Sequence, residues 1–177
     1  MTGLTLVLGG ASSGKSDWAE RLVDTMDRPK VYIATAQAFD PEMEAKIARH
    51  RSDRGGGWQT IEAPQMLTEA LSSLPDGHVA LLDCVTMWLS NRLLADAPLE
   101  EEIPTLLDAL DTCNVPVVVV SNEVGQGIVP DNALSRRFRD LQGRLNRQIA
   151  ERADRVVAVM AGLPLVLKGT LPETATW

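Results

Sequence analysis

The chain has 177 residues, 45% of them hydrophobic, enough for one domain with a substantial core (1–177 taken as a single unit). Its net charge of −7 excludes a general nucleic-acid surface, which needs a basic face against the phosphate backbone. Two cysteines, Cys84 and Cys113, have neither metal-site nor redox-motif spacing and are expected to be reduced core thiols.

"LTLVLG" (4–9) predicts a first strand, and a helical pattern follows at 15–27. No basic n-region or cleavage site precedes the strand, and no apolar run approaches the roughly 20 residues that span a bilayer. A cytoplasmic protein with no membrane span is expected. "KVYIAT" (30–35) predicts the next strand, with a helix near 41–53. "WQTIEAP" (58–64) reads as a short strand or an extended loop, and "HVALLDC" (78–84) as a strand leading into the helix "CVTMWLSNRLL". Gly55–Gly57 and "DAPLEEEIP" (96–104) are expected to be flexible. "PVVVVSN" (116–122), a long helix over 134–154, "RVVAVMAG" (155–162) and "PLVLKG" (164–169) complete the chain, and "LPETATW" reads as a tail or arm. Most strands are apolar throughout, which indicates burial on both faces. Strand–helix alternation then gives an α/β fold with a mostly parallel central sheet and helices on both faces.

"GGASSGKS" follows the first strand directly and opens a helix. Gly9, Gly14, Lys15 and Ser16 match G-x-x-x-x-G-K-[ST], the P-loop pattern. Its glycines permit a tight loop whose backbone N–H groups, with those of Gly10, Ala11, Ser12 and Ser13, point at phosphate oxygens, and the helix N-terminus adds positive potential. Lys15 is placed to reach the β- and γ-phosphates and the Ser16 hydroxyl to bind Mg²⁺. Asp83, ending an apolar strand, is the candidate second metal-side group. It also precedes a helix and is a candidate N-cap; the two roles are compatible.

"EAKIARHRSDR" carries His50 among Lys46, Arg49, Arg51 and Arg54. Met43, Ile47 and His50 share one helix face, which makes His50 a candidate core-edge histidine. Crowded cations weaken a short helix unless an anion sits among them. A neutral histidine facing phosphorus is a nucleophile, and neighbouring cations keep it neutral and stabilise charge on the transferring group. In "SNEVGQGIVP", Asn122 and Glu123 sit beyond the carboxyl end of a strand, where ligands bind in open α/β sheets. An ordinary turn there is the competing reading. In the long helix Phe138, Leu141, Leu145 and Ile149 form the buried stripe, and Asn146 either faces the site or closes a hydrogen bond. Met87 and Trp88 read as core.

These segments, "GGASSGKS", "VYIATAQAFDPEMEAKIARHRSDR", "WQTIEAP", "LLDCVTMWLSN", "SNEVGQGIVPDNALSRRFRDLQGRLNRQIAERAD" and "AGLPLVLK", resemble the bifunctional adenosylcobinamide kinase / adenosylcobinamide-phosphate guanylyltransferase family of cobalamin biosynthesis. The resemblance implies a P-loop fold and two reactions. ATP or GTP phosphorylates the aminopropanol hydroxyl of adenosylcobinamide, and GTP then guanylylates that phosphate, giving adenosylcobinamide-GDP and pyrophosphate. It places the GMP-carrying histidine on His50. It places nucleotide contacts on residues 9–16, on Ala34, Thr35 and Ala36, on Arg51, Ser52, Asp53 and Arg54, on Glu62 and on Asp83. It also implies Mg²⁺ and a homotrimer. One departure is visible: Ser12 stands where the family often has arginine. From the residues alone, a small-molecule P-loop kinase without nucleotidyl transfer, or a nucleotide-dependent regulator, also fits the cradle, and within the family a guanylyltransferase without the kinase activity is a further alternative.

Overall fold

The computed structural model describes residues 3–37 and 57–172; the segment carrying Met43, His50 and residues 51–54, and the tail beyond 172, lie outside the described residues. Seven strands form one sheet: β1 (Leu4–Gly9), β2 (Lys30–Ala34), β3 (Trp58–Glu62), β4 (Val79–Asp83), β5 (Val117–Asn122), β6 (Arg155–Met160) and β7 (Leu163–Lys168), in the order β3-β2-β4-β5-β1-β6-β7. β1 to β6 run parallel, and β7 returns antiparallel to β6. The described helices are α1 (Lys15–Asp24), α2 (Leu67–Ser72), α3 (Val85–Leu94), α4 (Leu99–Asp111) and α5 (Ala133–Arg152).

The apolar strands bury both faces, as their composition predicts. On one face Val7, Tyr32, Leu81, Val118, Val120, Val157 and Val159 pack against Trp18, Ala19, Leu22 and Val23 of α1. On the other, Leu6, Ile33, Leu82, Val117 and Val119 meet α2 to α5. Alternation therefore assigns Asp83 and Asn122, two residues on from Leu81 and Val120, to the α1 face. The 58–64 segment is a true strand: β3 pairs with β2, and Trp58 sits edge-on to Tyr32 at 6.2 Å, beneath the Lys30 ammonium at 5.0 Å.

One expectation fails. Most of the predicted flexible piece 96–104 is the start of α4. Leu99, Ile103, Leu106, Leu107 and Leu110 are spaced to bury one stripe, and Glu100, Glu101 and Glu102 in the first turn suit the helix dipole. Pro104 removes one helical donor, and that loss is outweighed by burial of the stripe. Glu102 is also anchored by Arg92 of α3 through two hydrogen bonds, 2.8 and 2.5 Å, and this contact raises the Arg92 pKa.

Candidate nucleotide site

The site is assembled at the carboxyl edge of the parallel strands. In register, Gly9 of β1 lies beside Asn122 of β5 and Val159 of β6, and Ala34 of β2 lies between Glu62 of β3 and Asp83 of β4. β5 separates the strand that feeds the P-loop from the strand that carries Asp83.

Gly9 is required by contact. A Cβ there would lie 2.8 Å from the carbonyl oxygen of Val159 and would collide with Ser13 Oγ. Ser12 takes a left-handed conformation (φ 55), and its exposed side chain marks the departure from the family's arginine. Gly14 caps α1 at φ 86, and a Cβ there would meet Gly162 Cα at 3.1 Å. Gly162 belongs to the two-residue β6–β7 turn, Ala161-Gly162, both with positive φ. Its N–H donates to Ser13 O at 2.8 Å, so the hairpin tip clamps the loop from outside. The sequence reading missed this clamp. Ser13 N–H donates to Gly10 O, Glu123 N–H to Gly9 O, and the Lys15 ammonium to Gly10 O at 3.2 Å. Ser16 sits in the first turn of α1, half-buried.

Asp83 is half-buried, and its Oδ2 accepts from Tyr32 O–H at 3.3 Å. It is not the N-cap of α3: that position is Cys84, with no side-chain cap bond, so the carboxylate is left for the site. The buried Cys84 thiol, next in sequence to Asp83, senses the charges of the site. Burial pushes its pKa up to about 11, the Asp83 charge pushes the same way, and the Lys15 ammonium pulls it down. Asp83 and Lys15 therefore act on this thiol in opposite directions. Cys84 and Cys113 are both free and buried, as expected.

Thr35 has a structural task beside the nucleotide contact that the resemblance implies for it. It is fully buried; its hydroxyl donates to Cys84 O at 2.6 Å and accepts from Cys84 N–H at 2.9 Å, while its carbonyl accepts from Asn91 Nδ2 at 2.9 Å. Thr35 thus fixes the backbone after Asp83. Ala34 and Ala36 flank it half-buried, and Glu62 stands exposed at the end of β3. Trp88 is core, its indole N–H donating to Gln65 O.

The oxygen set of Ser16 and Asp83 suits Mg²⁺, a hard ion usually held by one or two carboxylates with substrate phosphates rather than by an all-protein cage. Among the described residues there is no group of three or more His, Cys, Asp or Glu able to hold a metal ion. No described helix is long and apolar enough to cross a membrane.

The family profile described as cobinamide kinase / cobinamide phosphate guanyltransferase matches residues 5–167. The chain belongs to this family. It is 48% identical over 167 residues to the bifunctional adenosylcobalamin biosynthesis protein CobP of Pseudomonas aeruginosa, covering 93% of this chain and 96% of the relative. It is 39% identical over 183 residues to the protein CobU of Salmonella typhimurium, covering 93% and 99%. As a cobinamide kinase / guanyltransferase family member it is an enzyme of cobalamin biosynthesis. Among solved structures the RadB recombinase aligns with a TM-score of 0.52 at 16% identity, over 89% of this chain and 74% of that one. An ATPase from the type III secretion system of pathogenic bacteria aligns with a TM-score of 0.56 at 9% identity, over 94% and 57%. At such identities the likeness concerns the fold alone, that of P-loop NTPases.

Proposed function

We propose that this enzyme phosphorylates the aminopropanol hydroxyl of adenosylcobinamide with ATP or GTP, and then transfers GMP from GTP to the resulting phosphate through His50. The observation that carries the nucleotide half is the glycine loop at the carboxyl end of β1, held by the Gly162 N–H bond to Ser13 O, with Asp83 ending β4 at the same edge of the sheet. In this reading the backbone of residues 9–14 receives the phosphates, Lys15 neutralises the β- and γ-oxygens, and Ser16 and Asp83 hold Mg²⁺, whose charge offsets that of the triphosphate. An imidazole nitrogen of His50 attacks the α-phosphorus: a P–N bond forms, the bond to the bridging oxygen breaks, and pyrophosphate leaves. An oxygen of the corrinoid phosphate then attacks the same phosphorus, the P–N bond breaks, and His50 is released neutral. Arg51 and Arg54 offset charge on the transferring group, and Ser52, Asp53, Ala34, Ala36 and Glu62 border the nucleotide.

A homotrimer is part of the proposal. Met160, Leu163, Leu165 and Leu167 of the β6–β7 hairpin are more than half exposed in the single chain, an apolar patch suited to a second copy.

The test is covalent labelling. α-Phosphate-labelled GTP with Mg²⁺ should leave an acid-labile, alkali-stable label on the wild-type chain and none on His50→Ala. A wild-type chain that stays unlabelled at saturating GTP refutes transfer through His50.

A further inference from the structure

Asn122 ends β5, the strand lying between the P-loop strand and the strand of Asp83. Its backbone is wired on the α5 side of the sheet by a closed ring of hydrogen bonds. Asn122 N–H donates to Thr86 Oγ1 at 2.8 Å; Thr86 Oγ1 lies 3.3 Å from Ser121 Oγ, and Ser121 Oγ donates to Asn146 Oδ1 at 2.5 Å. Asn146 Nδ2 returns to Asn122 O at 3.1 Å, and Gln142 Nε2 braces the ring at Ser121 Oγ and Asn146 Oδ1, 2.8 and 2.9 Å. Thr86, Ser121, Gln142 and Asn146 are all buried.

The side chain of Asn122 takes no part in this ring. It belongs to the opposite face, with Asp83 and α1. Its Oδ1 is buried without a hydrogen-bond partner, and no partner for its Nδ2 is found among the described residues. A buried carbonyl oxygen left unpaired is costly unless a ligand completes it; Gln142 Oε1 is likewise buried without a partner, but on the other side of the sheet from Asp83 and α1.

A carboxamide has two ends of opposite character, one donating and one accepting. Phosphate oxygens accept only, so they satisfy the nitrogen and never Oδ1. The other partner must be a donor, and a substrate O–H is a donor that arrives with the phosphate. At the end of the site marked by Lys15 and Asp83, the two arrive together as the terminal phosphoryl group and the alcohol that attacks it.

We propose that Asn122 is a catalytic residue of the phosphoryl-transfer reaction: its carboxamide bridges a terminal phosphate oxygen and the acceptor hydroxyl, held in place by the ring of Thr86, Ser121, Gln142 and Asn146. This rests on the P-loop reading of the site and on the kinase half of the proposed function, and is independent of transfer through His50. In the step it orients, the acceptor oxygen forms a bond to the γ-phosphorus, the bond to the bridging oxygen breaks, the nucleoside diphosphate leaves and the hydroxyl proton passes to solvent.

The experiment measures both half-reactions on the full chain, wild type, Asn122→Ala and Asn122→Asp, with adenosylcobinamide for phosphorylation and separately supplied adenosylcobinamide phosphate for guanylylation. Nucleotide affinity and Tm are followed in parallel. Expected is a loss of about 10²-fold in the turnover of phosphorylation, with guanylylation within about 5-fold of wild type, because the α-phosphorus lies two groups away. Asn122→Asp, which keeps an acceptor but loses the donor and brings charge against phosphate, should fare no better than alanine. Equal losses in both reactions would overturn the assignment to the acceptor hydroxyl, as would undiminished phosphorylation or a loss traced to weakened nucleotide binding. A wild-type chain that guanylylates without phosphorylating would remove the kinase reading, and this proposal with it.

Discussion

Replacing Gly14 by alanine tests whether the loop is held by backbone contact rather than by sequence habit. Gly14 sits at φ 86, where a left-handed conformation costs an L-residue roughly 1–2 kcal/mol. The added Cβ would lie 3.1 Å from Gly162 Cα. That atom is backbone, in a turn tied to Ser13 O by a 2.8 Å hydrogen bond, so it does not yield freely. Overpacking of this kind adds about 1 kcal/mol or more. The sum, about 2–4 kcal/mol, corresponds to a Tm loss on the order of 10 °C for a chain of this size. Gly10→Ala is the control: its Cβ would meet nothing within 4 Å, and its φ is not positive. Urea denaturation followed by tryptophan fluorescence gives both values. Equal stability of the two variants, or a Gly14→Ala loss below about 0.5 kcal/mol, would refute the claim that the hairpin tip and the loop are in hard contact.

Two further outcomes follow from residues beneath the loop. Thr35→Val keeps the shape but leaves the N–H of Cys84 unpaired in the core, while the Cys84 carbonyl keeps its bond from Trp88 N–H; at about 1–3 kcal/mol for one orphaned group the loss should be of that size, with Thr35→Ser close to wild type in a denaturation curve. The Cys84 thiol gives an alkaline signature. The unfolded chain loses this proton near pH 9.0 and the folded chain near 11, so between those values the folded state binds more protons and stability falls as pH rises. About two pKa units correspond to roughly 2–3 kcal/mol. Urea midpoints of wild type and Cys84→Ala, compared at pH 8 and pH 11, should diverge by that amount, and parallel midpoints would refute the buried-thiol assignment.

What the sequence makes legible is what is contiguous. The cradle is eight successive residues whose glycines have local reasons. The strands declare themselves through unbroken β-branched runs such as "PVVVV", since burial on both faces removes the alternation that would otherwise weaken the pattern. Asp83 is readable because it ends such a run. The start of α4 was not: Pro98, Pro104 and three successive glutamates suggest a loop until Leu99, Ile103, Leu106 and Leu107 are counted at helical spacing. That stripe is the stronger signal, because burial of several leucine-sized side chains exceeds the loss of one helical donor.

The support of the site was illegible for a different reason. Thr35 and Cys84 are 49 residues apart, Thr86 and Ser121 are 35 apart, and Gly14 meets Gly162 across most of the chain. Each is a polar or small residue where propensity expects something larger or more apolar: Ser121 after four valines in β5, Gln142 and Asn146 on the inward face of α5. The signal was therefore present as an exception to the pattern, with no indication of its partner. A serine closing an apolar strand and two amides four residues apart on a buried helix face must find one another or remain unsatisfied at a cost of about 1–3 kcal/mol each. Had that constraint been applied to the strand and helix already predicted, it would have joined Ser121 to Gln142 and Asn146. The side chain of Asn122, on the other face of the same strand, would then have stood out as an amide that this network does not reach.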